Sequence, residues 1–482
     1  MNITFEASRG VGTGAAAVEI LHPETLAAFV DASSERERLA RILTAEDFAG
    51  RTGQVVILLA PAGRIEDRLI LAGLSSEASV FDAQLAGARL AVKCLDLPGD
   101  LALAYPEGLD ANLFAEFVYG FLARTYRFDK YRSAPRSGLA NLKITGCSEV
   151  VITQIKSLQV AVETVHIVRD LVNEPGNALP PLELAARIEG LCAPLGIAVE
   201  ILDATKLAEL GANLLLAVGQ GSVNPPCMVV LRMQGEGTPI GLAGKGMTFD
   251  TGGIHIKPVA GMWEMKNDMA GAATIAASMA AMARLGISRP LVAALGLAEN
   301  MASGSATRPG DVVRSLAGPY VEIRNTDCEG RLVLADCLTY LQQRFAPGQL
   351  IDVATLTYAV QVGLGPRYAG IYGNSRPEID ALLQSAERTG ELVWPMPIDA
   401  GFHDELASDF ADFLNWPGVT YGNASIAAAF LEKFVAPATP WLHIDIAGPA
   451  YAPKGNSLSP AGGTGFGLRM LVDYLAKTRT FA

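Results

Sequence analysis

The sequence predicts an α/β protein of two domains, a small one followed by a larger one. Three observations carry this expectation. Apolar extended runs alternate with helical stretches in the first part of the 482-residue chain. Around residues 128–138 the chain turns basic and polar, with Pro135 and Gly138 as breakers. From residue 174 onward strand and helix patterns alternate, which favours a sheet with helices on both faces. The domains are accordingly placed at residues 1–150 and 174–482, joined by a linker helix over 151–173.

In the first domain, residues 55–59 read as a strand and 86–92 and 111–122 as helices, with no readable active site. Residues 211–231 are uncharged throughout, but Gly219, Gln220, Asn224, Pro225 and Pro226 argue against a membrane span. That segment reads as strand, turn and strand. Further strands are expected at 240–243, 290–296, 320–324, 350–355 and 441–446, and helices at 269–285, 332–345 and 466–476. The alanine-rich run 271–283 suits a helix packed closely on a sheet. There is no internal repeat of fixed period.

With 50% hydrophobic and 18% charged residues, the composition excludes a disordered chain. The net charge of −12 argues against a polyanion as the main partner, because nonspecific nucleic-acid binding rests on phosphate neutralisation. Residues 1–10 lack the charged-then-apolar layout of a secretory signal, so the mature chain is expected to begin near Met1. The six cysteines, Cys94, Cys147, Cys192, Cys227, Cys328 and Cys337, form no CxxC pair, and a reduced cytoplasmic setting is the default.

The chemistry concentrates in two places. The heptad Asn325-Thr326-Asp327-Cys328-Glu329-Gly330-Arg331 follows an apolar extended run. In an extended segment alternate side chains share a face, so Asp327, Glu329 and Arg331 would converge and require a divalent metal or an anionic ligand as compensation. Upstream, the glycine-rich segment 244–258 and the segment 265–269 supply Lys245, Asp250, Lys257 and Asp268. A phosphate-binding loop is disfavoured there: the GxxxxGK[ST] order is absent, and Asp250 and Asp268 would repel phosphate. Asp250, Asp268, Asp327 and Glu329 carry about four negative charges at neutral pH, which two divalent cations would balance. Oxygen ligands suit Mg²⁺ and Mn²⁺, and Zn²⁺ also accepts carboxylates. None of the five histidines, His22, His166, His255, His403 and His443, has HExxH spacing.

These segments resemble the leucyl aminopeptidase family, the cytosolic two-metal peptidases, whose signature is a near-identical Asn-Thr-Asp-x-Glu-Gly-Arg-Leu. Supporting matches lie at 169–177, 215–226, 299–313, 352–357, 441–448 and 464–467, so the resemblance covers roughly residues 165–480 in colinear order. It implies a small N-terminal α/β domain and a larger catalytic domain with a mixed sheet flanked by helices. Lys245 and Asp268 are then ligands of a tighter metal site and Asp327 of a looser one, with Asp250 and Glu329 touching both. The implied ions are Mn²⁺ or Zn²⁺, with Mg²⁺ or Co²⁺ as options at the looser site. Lys257 would stabilise an oxyanion, and Arg331 would hold a bicarbonate ion as general base. A metal-bridging water would be the nucleophile.

Three positions depart from the family pattern. Tyr358 replaces a glycine and is expected to reshape a substrate pocket lined also by Met265, Thr355, Ala447 and Ala450, unless backbone movement turns its ring away. His255 stands two before Lys257, so a regular strand would put both on one face; a hydrogen-bonded strand histidine is the simpler reading and an extra acid, base or ligand the other. Cys328 replaces an alanine, with burial on the opposite face as default and thiol reactivity as the minority reading.

The expected function is metal-dependent removal of N-terminal residues from short peptides with a free amine, by a cytoplasmic homohexamer that uses no membrane. The rival readings are another two-metal hydrolase, such as a phosphoesterase, and a secondary DNA-binding role.

Overall fold

The structure, a computed structural model, describes residues 1–6, 16–59, 67–97, 99–134 and 138–477. Pro135 and residues 7–10, on which the sequence reading leaned, lie outside these. The chain forms two compact units, one of residues 1–163 with 455–460 and one of residues 164–454 with 461–482. The helix Glu149–Asn173 runs through the division. Among the described residues no helix is long and apolar enough to cross a membrane.

The first unit is built on six strands: β1 Asn2–Glu6, β2 Ala16–Leu21, β3 Val55–Leu59, β4 Arg68–Gly73, β5 Asp100–Ala104 and β6 Asn141–Thr145. They lie in the order β1-β6-β5-β2-β4-β3, all pairs parallel except β3 with β4. The helices Val80–Cys94 and Ala111–Arg124 cross at glycines. A Cβ on Gly87 would stand 1.9 Å from the Phe117 carbonyl oxygen, and one on Gly120 1.9 Å from that of Gln84. Only glycine permits backbones to approach so closely.

The second unit contains β7 Ala198–Leu202, β8 Cys227–Met233, β9 Ile240–Asp250, β10 Leu291–Asn300, β11 Asp311–Arg314, β12 Tyr320–Ile323, β13 Gln349–Ala354, β14 Ala369–Gly373, β15 Val393–Pro395, β16 Phe413–Leu414 and β17 Trp441–Asp445. Eight of them make a mixed sheet in the order β15-β14-β17-β13-β9-β10-β8-β7. Its centre, β17-β13-β9-β10, is parallel. Central parallel strands need cover on both faces. Along β9, Leu242 faces the helix Ala270–Arg284 and Ala243 the helix Glu329–Phe345, the alternation a strand imposes.

The alanine-rich helix packs as its composition predicts. A Cβ on Gly271 would stand 2.1 Å from the Val353 carbonyl oxygen, and one on Gly244 2.8 Å from the Ala272 Cα. Two expectations need correction. Residues 211–231 are not strand, turn and strand: the helix Asn213–Gly219 precedes β8. Its N-terminal amides find a buried acceptor, since the Leu215 N–H donates to Asp336 Oδ2 at 3.1 Å, a tertiary bond with no local signature. The strand expected at 240–243 extends to Asp250, because β10 pairs with it along its whole length and outweighs its glycines.

Candidate metal centre

Lys245 sits inside β9 and is buried. Gly330 explains how it reaches its partners: a Cβ there would stand 2.5 Å from Lys245 Cε, so glycine leaves the passage open. Lys245 Nζ pairs with Asp268 Oδ1 at 2.8 Å and Glu329 Oε1 at 2.9 Å. It also donates to the Thr355 carbonyl oxygen at 2.9 Å. Asp250 ends the same strand. The β9–β10 register shifts between Ala298 and Glu299, opposite Thr248, and this extra residue re-phases the alternation so that Lys245 and Asp250, five positions apart, serve one centre.

Asp250 Oδ1 accepts from the Gly252 N–H and from Asn300 Nδ2, both at 2.8 Å. Its Oδ2 lies 2.7 Å from Lys257 Nζ, which also pairs with Asp327. Gly252 and Gly253 have φ of +86° and +65°, which turns the chain sharply after Asp250. Asn300 Nδ2 further donates to the Thr326 carbonyl oxygen at 2.9 Å, and Thr326 Oγ1 to that of Gly252 at 2.6 Å. Asn300 and Thr326 thus tie the two motifs together.

The heptad does not work as a strand. β12 ends at Ile323, the Asp327 N–H donates to Asn325 Oδ1 at 2.8 Å to close a turn, and the helix begins at Glu329. Turn and helix start, rather than strand alternation, bring Asp327 and Glu329 to Asp250. Carboxylate oxygens of these three lie within 4.8 Å of one another. Arg331, two residues further along the helix, donates through Nη1 to the Asn415 carbonyl oxygen at 2.7 Å. His255 is likewise on a turn, so it shares no strand face with Lys257. Its N–H donates to Thr326 Oγ1 at 2.9 Å, and its Nδ1 accepts from the Thr326 N–H at 3.3 Å. Cys328 is half-buried and stands just before the helix start without a side-chain capping bond; burial pushes its thiol up to about 11, away from reactivity.

Charge is concentrated and incompletely compensated. Burial, with Glu329 and Asp250 adding to it against Lys245, pushes Asp268 up to about 8. Burial with Asp250 and Glu329 pushes Asp327 up to about 7 against the attraction of Lys257. Burial opposes the charge on Lys245 and Lys257, yet the surrounding carboxylates hold both above the ordinary lysine range. A cation entering here therefore competes with protons. Two buried oxygens, Asp268 Oδ2 and Glu329 Oε2, have no hydrogen-bond partner among the described residues. An unsatisfied buried carboxylate oxygen is costly, and a metal ion satisfies it. The donor set therefore fits divalent cations.

Of the pocket candidates, Thr355 touches the centre: its Oγ1 donates to Asp268 Oδ1 at 2.7 Å. Met265 and Ala447 are half-buried and Ala450 is buried, while Tyr358 opens the helix Tyr358–Leu364 and is 77% exposed. Asn300, Thr326 and Asn415 were not singled out from the sequence. Asn415 accepts through Oδ1 from the Arg324 and Asn325 N–H groups at 2.8 and 3.2 Å, fixing the turn that carries Asp327. Its only sequence signal is polarity within an otherwise apolar stretch.

Comparison with known proteins points the same way. The profile of the catalytic domain of the cytosol aminopeptidase family matches residues 166–472, and that of its N-terminal domain residues 16–135. The "Probable cytosol aminopeptidase" of Gluconobacter oxydans is 41% identical over 457 residues, covering 93% of this chain and 92% of that protein. Among solved structures, a tomato leucine aminopeptidase variant superposes with a TM-score of 0.86 at 29% identity, covering 99% of this chain and 97% of that one. A bottromycin maturation enzyme in complex with Mn superposes with a TM-score of 0.85 at 33% identity, covering 97% of this chain and 99% of that one.

Proposed function

The chain belongs to the cytosol aminopeptidase family and is a leucyl aminopeptidase-type hydrolase, and from that premise we propose that it removes N-terminal residues from short peptides at the Lys245–Glu329 centre. The observation that carries this is the pair of unpartnered buried oxygens, Glu329 Oε2 in the cluster with Asp250 and Asp327, and Asp268 Oδ2 joined to it through Lys245. In this reading Asp268 and Lys245, whose ammonium would have to give up its proton as a dication displaces it from the carboxylates, would hold one divalent ion and Asp327 the other, while Asp250 and Glu329 would serve both. When bound, such ions act as Lewis acids and lower the pKa of a bound water.

The chain's own residues supply the rest. Asp250 and Asp327 engage two of the three N–H donors of Lys257, whose side chain is 20% exposed. The third can meet a carbonyl oxygen as it gains negative charge. Arg331 is buried, and its Nε has no partner among the described residues. A guanidinium so placed presents a donor edge to a planar anion, which suits bicarbonate, a general base that arginine cannot itself be. We further propose Mn²⁺ or Zn²⁺ as the ions, a homohexameric assembly and a cytoplasmic location; the Mn complex of the bottromycin enzyme supports Mn²⁺. Met265, Thr355, Tyr358, Ala447 and Ala450 would line the pocket for the first side chain.

Chelation should abolish release of free amino acid from leucyl peptides, and Mn²⁺ should restore it without turnover of a phosphate ester. Phosphate-ester turnover would instead favour a phosphoesterase. On the same peptide panel, Tyr358→Gly is expected to change the ratio of leucyl to alanyl and glycyl rates; an unchanged ratio removes Tyr358 from the pocket.

A further inference from the structure

Beneath the centre lies a second polar cluster that the reaction does not use directly. Asp352 on β13 and His443 on β17 are register partners, and Asp352, His443 and Asp445 are all fully buried. Asp352 Oδ1 lies 2.5 Å from His443 Nδ1, and Trp441 Nε1 donates to Asp352 Oδ2 at 2.7 Å. The His443 ring stacks on Trp441, with centroids 6.3 Å apart. Burial opposes protonation of His443, but Asp352 and Asp445 hold it above the ordinary histidine range.

Asp445 closes β17 and accepts from two segments at once. Its Oδ1 takes the Leu356 N–H at 3.0 Å and the Ala447 N–H at 3.1 Å, and its Oδ2 takes Thr357 Oγ1 at 2.7 Å. The first of those segments begins at Thr355, whose carbonyl and hydroxyl meet Lys245 and Asp268. Burial raises the Asp445 carboxyl above the ordinary carboxylate range, the three donors offset part of that cost, and together they fix the turn it holds.

We propose that Asp445 is a positioning residue of the aminopeptidase centre: it clasps residues 355–357 to the end of β17 so that Thr355 meets Lys245 and Asp268, while the Asp352–His443 pair locks the strands beneath. The proposal rests on the metallo-aminopeptidase reading of that centre. Partners that orient metal ligands typically change metal affinity or activity by about 10- to 100-fold when removed.

The test uses full-chain variants, with calorimetric Mn²⁺ affinity, kcat and KM on a leucyl peptide, and Tm. Asp445→Ala is expected to lower both Mn²⁺ affinity and kcat by about tenfold. Asp445→Asn, whose amide oxygen still accepts from the Leu356 and Ala447 N–H groups, should recover most of that loss. Thr357→Val, which removes one hydroxyl, should show a several-fold loss in the same direction. Asp336→Asn serves as comparison, because Asp336 is buried and accepts from the Leu215 and Leu316 N–H groups away from the centre. It should lower Tm and leave Mn²⁺ affinity unchanged.

The proposal is overturned if Asp445→Ala and Thr357→Val bind Mn²⁺ and turn over peptide like the unsubstituted chain, or lose only Tm as Asp336→Asn does. Should Asp445→Ala not fold, Thr357→Val decides alone. Absence of Mn²⁺-dependent turnover in the unsubstituted chain overturns the metallo-aminopeptidase reading itself, and the positioning role with it.

Discussion

Glu329→Gln is expected to lower kcat/KM on leucyl peptides by about 10³-fold. Metal ions contribute several kcal/mol of transition-state stabilisation, and each 1.4 kcal/mol or so is tenfold in rate. Glu329 is the group on which the centre converges: its Oε1 pairs with Lys245, its Oε2 is unpartnered, and its oxygens lie in the cluster with Asp250 and Asp327. Glutamine keeps the shape and removes the charge, so circular dichroism should show a folded chain with weakened Mn²⁺ binding. Activity within about threefold of the unsubstituted chain would remove Glu329 from the ligand set.

Lys257→Met should lower kcat by about 10²-fold, the usual cost of losing one donor to a developing oxyanion. Mn²⁺ affinity should hold or tighten, because the Lys257 ammonium pairs with Asp250 and Asp327 and competes there with any cation. Rates and calorimetry on the same preparation separate these effects. Weakened Mn²⁺ affinity with an unchanged kcat would make Lys257 a structural ion-pair partner.

Long, strongly patterned elements were legible in the sequence. The helix Ala270–Arg284 and strands β10, β13 and β17 arise from apolar runs whose period matches the sheet they join. The glycine-rich stretch around Lys245 was harder, because its local preference for a loop is overridden by pairing with β10. The heptad gave its chemistry correctly as a concentration of carboxylates, but its geometry incorrectly. The Asx turn at Asn325 is a local feature that the extended reading passed over, whereas the opening left by Gly330 is a tertiary fact, visible only once Lys245 is in place. The roles of Asn300, Asn415 and Asp445 were not legible, since each acts through bonds to segments distant in sequence.

The Lys245, Asp250, Asp268, Asp327 and Glu329 side chains are proposed to form a two-ion site on which exopeptidase activity depends. Its most direct test is calorimetric titration of the chelated chain with Mn²⁺, with initial rates measured at each occupancy on a leucyl peptide and on its N-acetylated form. Two Mn²⁺ per chain are expected, with activity that rises with occupancy and turnover of the free-amine peptide alone. Full activity in the chelated chain, or equal turnover of the N-acetylated peptide, would contradict it.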